Sequence, residues 1–139
     1  MRNLRENPFH GIIKEYEHWI VLFRDKQVTI GSVIIMSKHL DQTSLGGLSA
    51  DVWGEFGGVC QDVEHMISSA FGAEKFNYLA LMMYDPEVHF HVIPRYSKLV
   101  LFGGKEFVDP DWPDATQRIA MDLDQDTLHS IYNKLLSVI

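Results

Sequence analysis

Apolar and branched residues are concentrated along the first third of the chain in a way that is typical of β-strands. Residues 15–23 are dense in aromatic and branched side chains and predict one strand. Residues 28–37 predict its partner across a short polar turn, and Ile12 and Ile13 suggest a short strand before both. Gly31 lies inside the partner strand, where a glycine marks a bulge or the close approach of another group.

Two later stretches have the periodicity of amphipathic helices. Ser49 is placed as the N-cap of the first helix and Gly72 as its end. A second helix is predicted from about Gln125. The apolar face of the first helix comprises Val52, Phe56, Val59, Val63, Met66, Ile67 and Ala70, and that of the second comprises Leu128, Ile131, Tyr132, Leu135 and Leu136.

Between the two helices lie two further strands. Residues 76–84 are nearly all apolar and predict a central strand that is covered on both faces. Asp85 and Pro86 predict the turn into the next strand. Strands, a helix, strands and a helix in this order, with hairpin-like connections, predict an α+β fold around an antiparallel sheet.

The strand after this turn carries His89 and His91 two residues apart. Alternate side chains leave an extended strand on the same face, so the two imidazoles lie side by side, with the carboxylate of Glu87 next in the row. The residues that alternate with them point into the core: Val88, Phe90 and Val92. A strand with titratable groups on one face and apolar packing on the other is typical of one that lines a site.

Composition narrows the class of protein. The chain has 139 residues, 46% hydrophobic and 22% charged, which suits a single domain over residues 1–139. We find no apolar run long enough to span a bilayer, no secretory signal and a single cysteine, Cys60, so we expect a cytoplasmic protein without a membrane partner. The net charge of −7 argues against binding of a nucleic-acid polymer, but a few local cations can still bind a small anion.

Three interpretations of the paired histidines compete. They can be ordinary strand residues, which is the usual case for a lone histidine. Glu87, His89 and His91 can bind a metal, although ligands on one strand need a further ligand from elsewhere. Histidines at other positions are available, but none has a ligand-like spacing: His10, His18, His39, His65 and His129. Finally, one imidazole can attack phosphorus while its neighbour donates to a phosphate oxygen or to the leaving group.

Residues 89–95, with the sequence HFHVIPR, resemble the second half of the histidine triad (HIT) motif, in which histidines alternate with apolar residues before a Pro-Arg or similar ending. Residues 15–23 are similar to the first long strand of that family. Residues 29–38 resemble its Pro-Gly-His-x-Leu-x-x-Pro-Lys segment. The resemblance covers roughly residues 12–96, and the ordered upstream matches make it more specific than the histidine string alone.

The resemblance implies an α+β fold that usually dimerises, so we expect a homodimer. It implies hydrolysis or transfer at a nucleoside α-phosphate through a nucleotidyl-histidine intermediate, with no metal or other cofactor needed. His89 matches the nucleophile of the family, and His91 matches the histidine that assists at the phosphate and leaving group. The expected substrate is a dinucleoside polyphosphate or a nucleoside phosphoramidate.

The chain also departs from the family pattern. Glu87 stands where the first histidine of the triad belongs, and Ser32 stands where the upstream segment has a histidine. Arg24 falls where a ribose-binding Asp or Asn is usual, with Asp25 one place further on. These four residues are therefore candidates for substrate binding in an altered form.

Glu87 has several possible consequences. A carboxylate beside His89 favours imidazolium, which is not a nucleophile. A carboxylate that accepts a hydrogen bond from the ring would instead fix its tautomer. Glu87 can also point into solvent or repel the substrate phosphate.

Two cations complete the candidate set. Arg95 follows the histidines directly and Lys38 ends the upstream strand, and each can contact phosphate or remain a surface charge. Phe9, Trp19, Phe23 and Ile30 can form an apolar slot for a base or belong to the core. The sequence thus favours a nucleotide hydrolase or nucleotidyl transferase, with a non-catalytic nucleotide- or phosphate-binding module as the alternative.

Overall fold

Seven strands and two α-helices make up the described part, residues 11–139, of the computed structural model. The strands are β1 (Ile12–Glu15), β2 (Trp19–Phe23), β3 (Val33–Ser37), β4 (Lys75–Leu79), β5 (His89–Arg95), β6 (Val100–Phe102) and β7 (Lys105–Phe107). The helices are α1 (Ala50–Phe71) and α2 (Gln125–Val138). No helix among the described residues is both long and apolar enough to cross a membrane.

The main sheet has five strands in the order β1-β2-β3-β5-β4, and every neighbouring pair is antiparallel. The short strands β6 and β7 form a separate hairpin. The sequence-based expectation of an α+β fold with an antiparallel sheet, one long helix and a C-terminal helix is confirmed. The strand that carries the histidines is internal, between β3 and β4.

The strand boundaries near the N-terminus differ from the prediction. A turn divides the predicted strand at 15–23, so β1 and β2 form a hairpin with Glu15 opposite Ile20. The predicted partner at 28–37 becomes extended only at Val33. Gly31 has a φ of 94°, and a Cβ there would lie 3.1 Å from the side chains of Ile67 and Phe71. This glycine therefore marks a close approach, as expected, but it lies in a turn.

The prediction of a central, doubly covered strand at 76–84 is wrong. Strand β4 ends at Leu79 and occupies the edge of the sheet. The apolar residues that follow lie in an irregular segment, where Met83 is 80% exposed and Tyr84 is 94% exposed. The run was apolar without being buried, and a continuous apolar run has no periodicity that separates the two cases.

Strands β2 and β3 are buried on both faces of the sheet. Helix α1 packs on one face over the main core, through the buried residues Val52, Val59, Val63, Met66, Ile67 and Phe71. Gly72 ends the helix in the left-handed conformation, with φ of 76°, as predicted. The opposite face has its own buried apolar cluster of Ile20, Leu22, Ile34 and Met36. The paired histidines lie on this second face, beside that cluster.

Candidate active site

His89 and His91 lie on the same face of β5, as the spacing predicts. Their ring centroids are 5.0 Å apart and the rings meet edge to face at 82°. His89 is opposite Met36 of β3, and His91 is flanked by Ile34 of β3 and Leu79 of β4. The two imidazoles are therefore held by an internal strand between apolar neighbours.

The ring of His89 is oriented by the backbone. Its Nδ1 lies 2.7 Å from the carbonyl oxygen of Glu87. A carbonyl oxygen can only accept, so Nδ1 carries the proton and Nε2 of the neutral ring holds a lone pair. The tautomer of His89 is thus set by the main chain of Glu87 and not by its carboxylate.

The ring of His91 is oriented by a charged side chain. The guanidinium Nη1 of Arg24 lies 2.6 Å from Nδ1 of His91. Arginine has no acceptor and stays protonated, so it donates this bond and Nδ1 of His91 accepts it. The proton of neutral His91 must then be on Nε2.

The two imidazoles are therefore opposite tautomers, and they differ at Nε2. Nε2 of His89 offers a lone pair, whereas Nε2 of His91 carries a proton. The first arrangement is that of a nucleophile or base, and the second is that of a hydrogen-bond donor. Such a pair can attack a phosphorus atom and donate to one of its oxygens.

A buried amide shapes the turn that carries Arg24. Gln27 is fully buried, and its Oε1 accepts from the backbone N–H of Gly31 at 2.7 Å and of Ser32 at 3.1 Å. Its Nε2 donates to the carbonyl oxygens of Arg24 and Ser32. All the hydrogen-bonding capacity of the side chain is used in closing this turn.

Two further hydrogen bonds attach the same turn to the end of β5. The hydroxyl of Thr29 donates to the carbonyl of Pro94, and the hydroxyl of Tyr96 donates to the carbonyl of Ile30 at 2.6 Å. Burial and the nearby carboxylate of Asp109 raise the pKa of Tyr96, so it remains a donor. The turn is therefore docked on the histidine strand, which places Arg24 within reach of His91.

The remaining candidates from this turn have local roles. Ser32 is buried, and its hydroxyl donates to the carbonyl of Thr29 at 2.8 Å and accepts from the Thr29 N–H at 3.2 Å. Asp25 accepts from the N–H of Lys26 with Oδ1, at 3.0 Å. Ser32 thus stabilises the turn, and Asp25 lies at its polar tip next to Arg24.

Arg95 is engaged by a buried ion pair. Its Nε lies 2.6 Å from Oδ2 of Asp109, and both side chains are at most 5% exposed. The other guanidinium nitrogens donate to Asn77, to Asp109 and to the carbonyl of Asp114. Burial alone would raise the pKa of Asp109, but the hydrogen bonds from Arg95 and two backbone N–H groups outweigh it and hold that pKa below its usual range. A phosphate could reach Arg95 only by replacing Asp109.

Lys38 is directed away from the histidines. Its Nζ donates to the carbonyl of Tyr16 at 2.9 Å and lies 3.5 Å from Glu15. Both partners belong to the β1–β2 hairpin, on the far side of β3 from β5. The structure therefore brings Arg24 to the histidine pair and engages Lys38 elsewhere.

The side chain of Glu87 is half-buried. Its Oε2 is buried and has no hydrogen-bond partner among the described residues, and the same is true of Oδ1 of Asp85. Of the alternatives for Glu87, a carboxylate that points wholly into solvent does not fit this burial. Two unpartnered carboxylate oxygens lie in the segment that leads into the histidine strand, where a buried anionic oxygen is unfavourable.

The two rings differ in exposure. His89 is 3% exposed and His91 is half-buried. A cavity of about 190 Å³ lies elsewhere, at the C-terminal end of α1, lined by residues that include Phe71, Tyr96 and Val100. Of the proposed base slot, Trp19, Phe23 and Ile30 belong to the buried core, and Phe9 lies outside the described residues.

Gln27 and the contact between Arg24 and His91 were not predicted from the sequence. Arg24 and His91 are 67 positions apart, so no local pattern could predict their contact. The glutamine gave a weaker signal: an amide beside a turn with a glycine can hold that turn closed. Both features depend on how the turn docks on β5.

Solved structures of histidine triad proteins have the same fold. A histidine triad (HIT) protein from Sinorhizobium meliloti superposes with a TM-score of 0.75 at 17% identity, over 100% of this chain and 96% of that one. A histidine triad protein from Marinobacter aquaeolei gives 0.72 at 19% identity, over 92% and 87% of the two chains. A hypothetical histidine triad nucleotide-binding protein from Sulfolobus tokodaii gives 0.68 at 14% identity, over 91% and 81%.

No protein-family model matches the sequence, and no curated protein does. The similarity is therefore one of fold, at sequence identities of 14–19%. The chain has the histidine triad fold.

Proposed function

We propose that this protein binds nucleotides and acts as a hydrolase or nucleotidyl transferase at a nucleoside α-phosphate. The observation that carries the proposal is the opposite tautomers of His89 and His91, set by the Glu87 carbonyl and by Arg24. A nucleophilic lone pair and a donor N–H on adjacent rings are what displacement at phosphorus requires. The structural neighbours named as histidine triad and nucleotide-binding proteins support this assignment.

The proposed reaction has two displacements. The lone pair on Nε2 of His89 forms a bond to the α-phosphorus, and the bond from phosphorus to the leaving oxygen or nitrogen breaks with its electron pair going to the leaving group. Nε2–H of His91 donates a hydrogen bond to a phosphate oxygen or to the leaving atom. Water or another acceptor then attacks the same phosphorus, releases the nucleotide and returns His89 to its neutral form.

Within this scheme Arg24 is a positioning residue for His91. Its guanidinium keeps Nδ1 of His91 unprotonated, so that the proton stays on Nε2. Arg24 also places a positive charge beside the ring that faces the phosphate. The hydrogen bonds of Arg95, Ser32 and Lys38 direct these side chains away from the histidines, so we leave them out of the phosphate-binding set. Arg24 contacts His91 and Asp25 is next to it in the chain, so both remain candidates near the substrate.

Substrate access requires a local movement. His89 is 3% exposed, so an α-phosphate reaches its Nε2 only if a neighbouring group is displaced. The buried Oε2 of Glu87 lies in the segment that leads into the histidine strand, where a carboxylate opposes the approach of a phosphate. Both features weaken substrate binding at His89, and they give the alternative of a non-catalytic nucleotide-binding module a specific basis.

We further propose that the protein forms a homodimer through the β4 edge of the main sheet. Strand β4 ends the sheet opposite β1, and no strand of the described residues pairs with its outer side. An unpaired strand edge offers backbone donors and acceptors to a second copy. Light scattering after gel filtration is expected to give twice the mass of the chain, and a monomer at micromolar concentration would contradict this proposal.

Binding and turnover have to be measured together. We expect AMP to bind in calorimetry, and an adenosine phosphoramidate or a diadenosine polyphosphate to yield AMP. His89→Ala should abolish product formation while retaining the fold. His65→Ala, on the exposed side of α1, should leave both product formation and the fold unchanged. AMP binding without product from any substrate would favour the binding module, and unchanged hydrolysis by His89→Ala would refute the assignment.

A further inference from the structure

A second group of titratable side chains lies at the end of the sheet near the β1–β2 turn. Glu17 and His18 are in that turn, His39 follows β3, and Glu55 is on α1. The sequence places these residues in three separate segments, so their spacing predicts no metal site. The fold nevertheless brings one potential ligand atom from each of Glu17, His18 and Glu55 within 4.8 Å of one another.

The two histidines of this group are in direct contact. Nδ1 of His18 lies 2.9 Å from Nε2 of His39, and the rings stack with centroids 5.1 Å apart. At this distance one nitrogen donates and the other accepts. If Nδ1 of His18 donates, its Nε2 holds a lone pair, and that nitrogen is the one that lies 3.9 Å from Oε1 of Glu17.

Glu55 is held at the same place by the backbone. Its Oε1 accepts from the N–H of His18 at 2.9 Å, which fixes the carboxylate next to the turn. Glu17 is exposed and free to change rotamer, and His18 and Glu55 are half-buried. One imidazole and two carboxylates thus converge from a turn and a helix.

We propose that Glu17, His18 and Glu55 bind a first-row divalent cation of the Zn²⁺ type, and that His39 positions His18. Imidazole with carboxylates suits Zn²⁺, whereas Mg²⁺ and Ca²⁺ prefer oxygen ligands alone. Zinc bonds to nitrogen and oxygen are about 2.0–2.2 Å, so ligand atoms in a tetrahedral site are about 3.4 Å apart. The cluster reaches that geometry if these distances shorten by up to about 1.4 Å, which requires a rotation of the Glu17 side chain and a small shift of the His18 ring or the Glu55 carboxylate.

His39 would have the role that outer partners have in metal sites. A ligating histidine usually donates its other N–H to an acceptor, which fixes the tautomer and the ring orientation. Nε2 of His39 is such an acceptor for Nδ1–H of His18. The bound ion would connect the β1–β2 turn to α1, and the residues that hold it are separate from His89 and His91.

The site can be tested with the full-length protein and Zn²⁺ alone. Equilibrium dialysis followed by elemental analysis should find one zinc per chain at micromolar free zinc, unaffected by excess Mg²⁺. His18→Asn and Glu55→Gln should each weaken binding at least about ten-fold, as should His39→Ala. Two matched controls should keep wild-type affinity: His65→Asn on α1, and the double variant His89→Asn with His91→Asn.

Zinc-edge absorption spectroscopy of the loaded protein should show nitrogen and oxygen ligands with a single imidazole, and circular dichroism should show that the variants remain folded. The proposal is overturned if the wild type binds no zinc, or if His18→Asn binds it as tightly as the wild type. Loss of zinc in the His89 and His91 double variant alone would place the ion on the histidine strand and would also overturn it.

Discussion

The guanidinium of Arg24 lies 2.6 Å from Nδ1 of His91, although 67 residues separate the two in sequence. A permanently protonated group at this position leaves Nδ1 as an acceptor and fixes the proton of the ring on Nε2. Arg24, for which the family resemblance suggested a ribose-binding position, thus contacts a catalytic candidate. This contact gives the proposed mechanism its most specific test.

Arg24→Gln should release the tautomer of His91. We expect kcat to fall about 10- to 100-fold, because a hydrogen bond to a charged group contributes about 1.5–3 kcal/mol. The ring nitrogen chemical shifts of His91 should change from values typical of the Nε2–H tautomer to values typical of a mixture of both tautomers. The shifts of His89 should stay unchanged. Lys134→Gln removes one positive charge on α2 and serves as the control. Unaltered shifts and unaltered kcat in Arg24→Gln would mean that Arg24 does not position the ring.

Glu87→Gln should improve nucleotide binding. The carbonyl of Glu87 orients His89, so the substitution leaves the tautomer intact while it removes a buried, unpartnered carboxylate oxygen. We expect KM to fall a few-fold with little change in kcat. Glu106→Gln removes an equal charge at an exposed position of β7 and should have no effect. A large loss of kcat in Glu87→Gln would instead show that the carboxylate takes part in catalysis.

The sequence predicted the structure correctly where a local hydrophobic period, or a residue that ends a helix, determined it. The alternation around His89 predicted which residues face the core, and Gly72 ended α1 as expected. Helix α2 begins at Gln125, where Asp124 caps it by accepting from the N–H of Thr127 at 2.7 Å. In contrast, Leu136 was expected on the buried face of α2 and is exposed, because buried Leu135 takes the position that faces the core.

These local patterns could not predict contacts between residues that are far apart in sequence. Arg95 looked like a phosphate ligand because it follows the histidines, but Asp109 occupies it. His18 and His39 have no ligand spacing in sequence, yet their rings stack. In each case the partner comes from a distant segment, and only the docking of that segment on the sheet determines which atoms meet.

Asp109→Ala should destabilise the fold strongly. It leaves the buried guanidinium of Arg95 without its main partner, which typically costs about 3–5 kcal/mol in the free energy of unfolding. Urea denaturation should show this loss, with Asp122→Ala as a control at an exposed acidic position. The double variant Arg95→Met with Asp109→Leu should recover part of the loss. A change below about 1 kcal/mol in Asp109→Ala would show that the pair is not needed for stability.

The same pair predicts a specific dependence of stability on pH. The pKa of Asp109 is lowered in the folded protein, so its contribution is complete above its ordinary value of 3.8 and is lost as pH falls through the lower folded value. Acid unfolding of the wild type should therefore include a term below pH 3.8 that Asp109→Ala lacks. If the free energy of unfolding of the two proteins fell equally with pH in this acid range, the result would contradict this assignment.

Gly57→Ala should stabilise α1. Gly57 is exposed within the helix, and a Cβ there would meet no atom within 4 Å; the same holds at Gly54 and Gly58. These three glycines therefore do not provide a close approach of α1 to the sheet. Alanine is more favourable than glycine in a helix by about 1 kcal/mol, which corresponds to about 4 °C in Tm. A lower Tm would indicate that the glycine face contacts a second copy of the chain.

Covalent trapping tests the central claim most directly. The protein is mixed with an adenosine phosphoramidate or diadenosine polyphosphate, quenched during turnover under conditions that preserve phosphoramidate bonds, and mapped by peptide mass spectrometry. We expect one AMP moiety attached to His89, its absence in His89→Ala, and its presence in His65→Ala. An adduct on a different residue, or turnover in which no adduct forms on His89, would contradict the account.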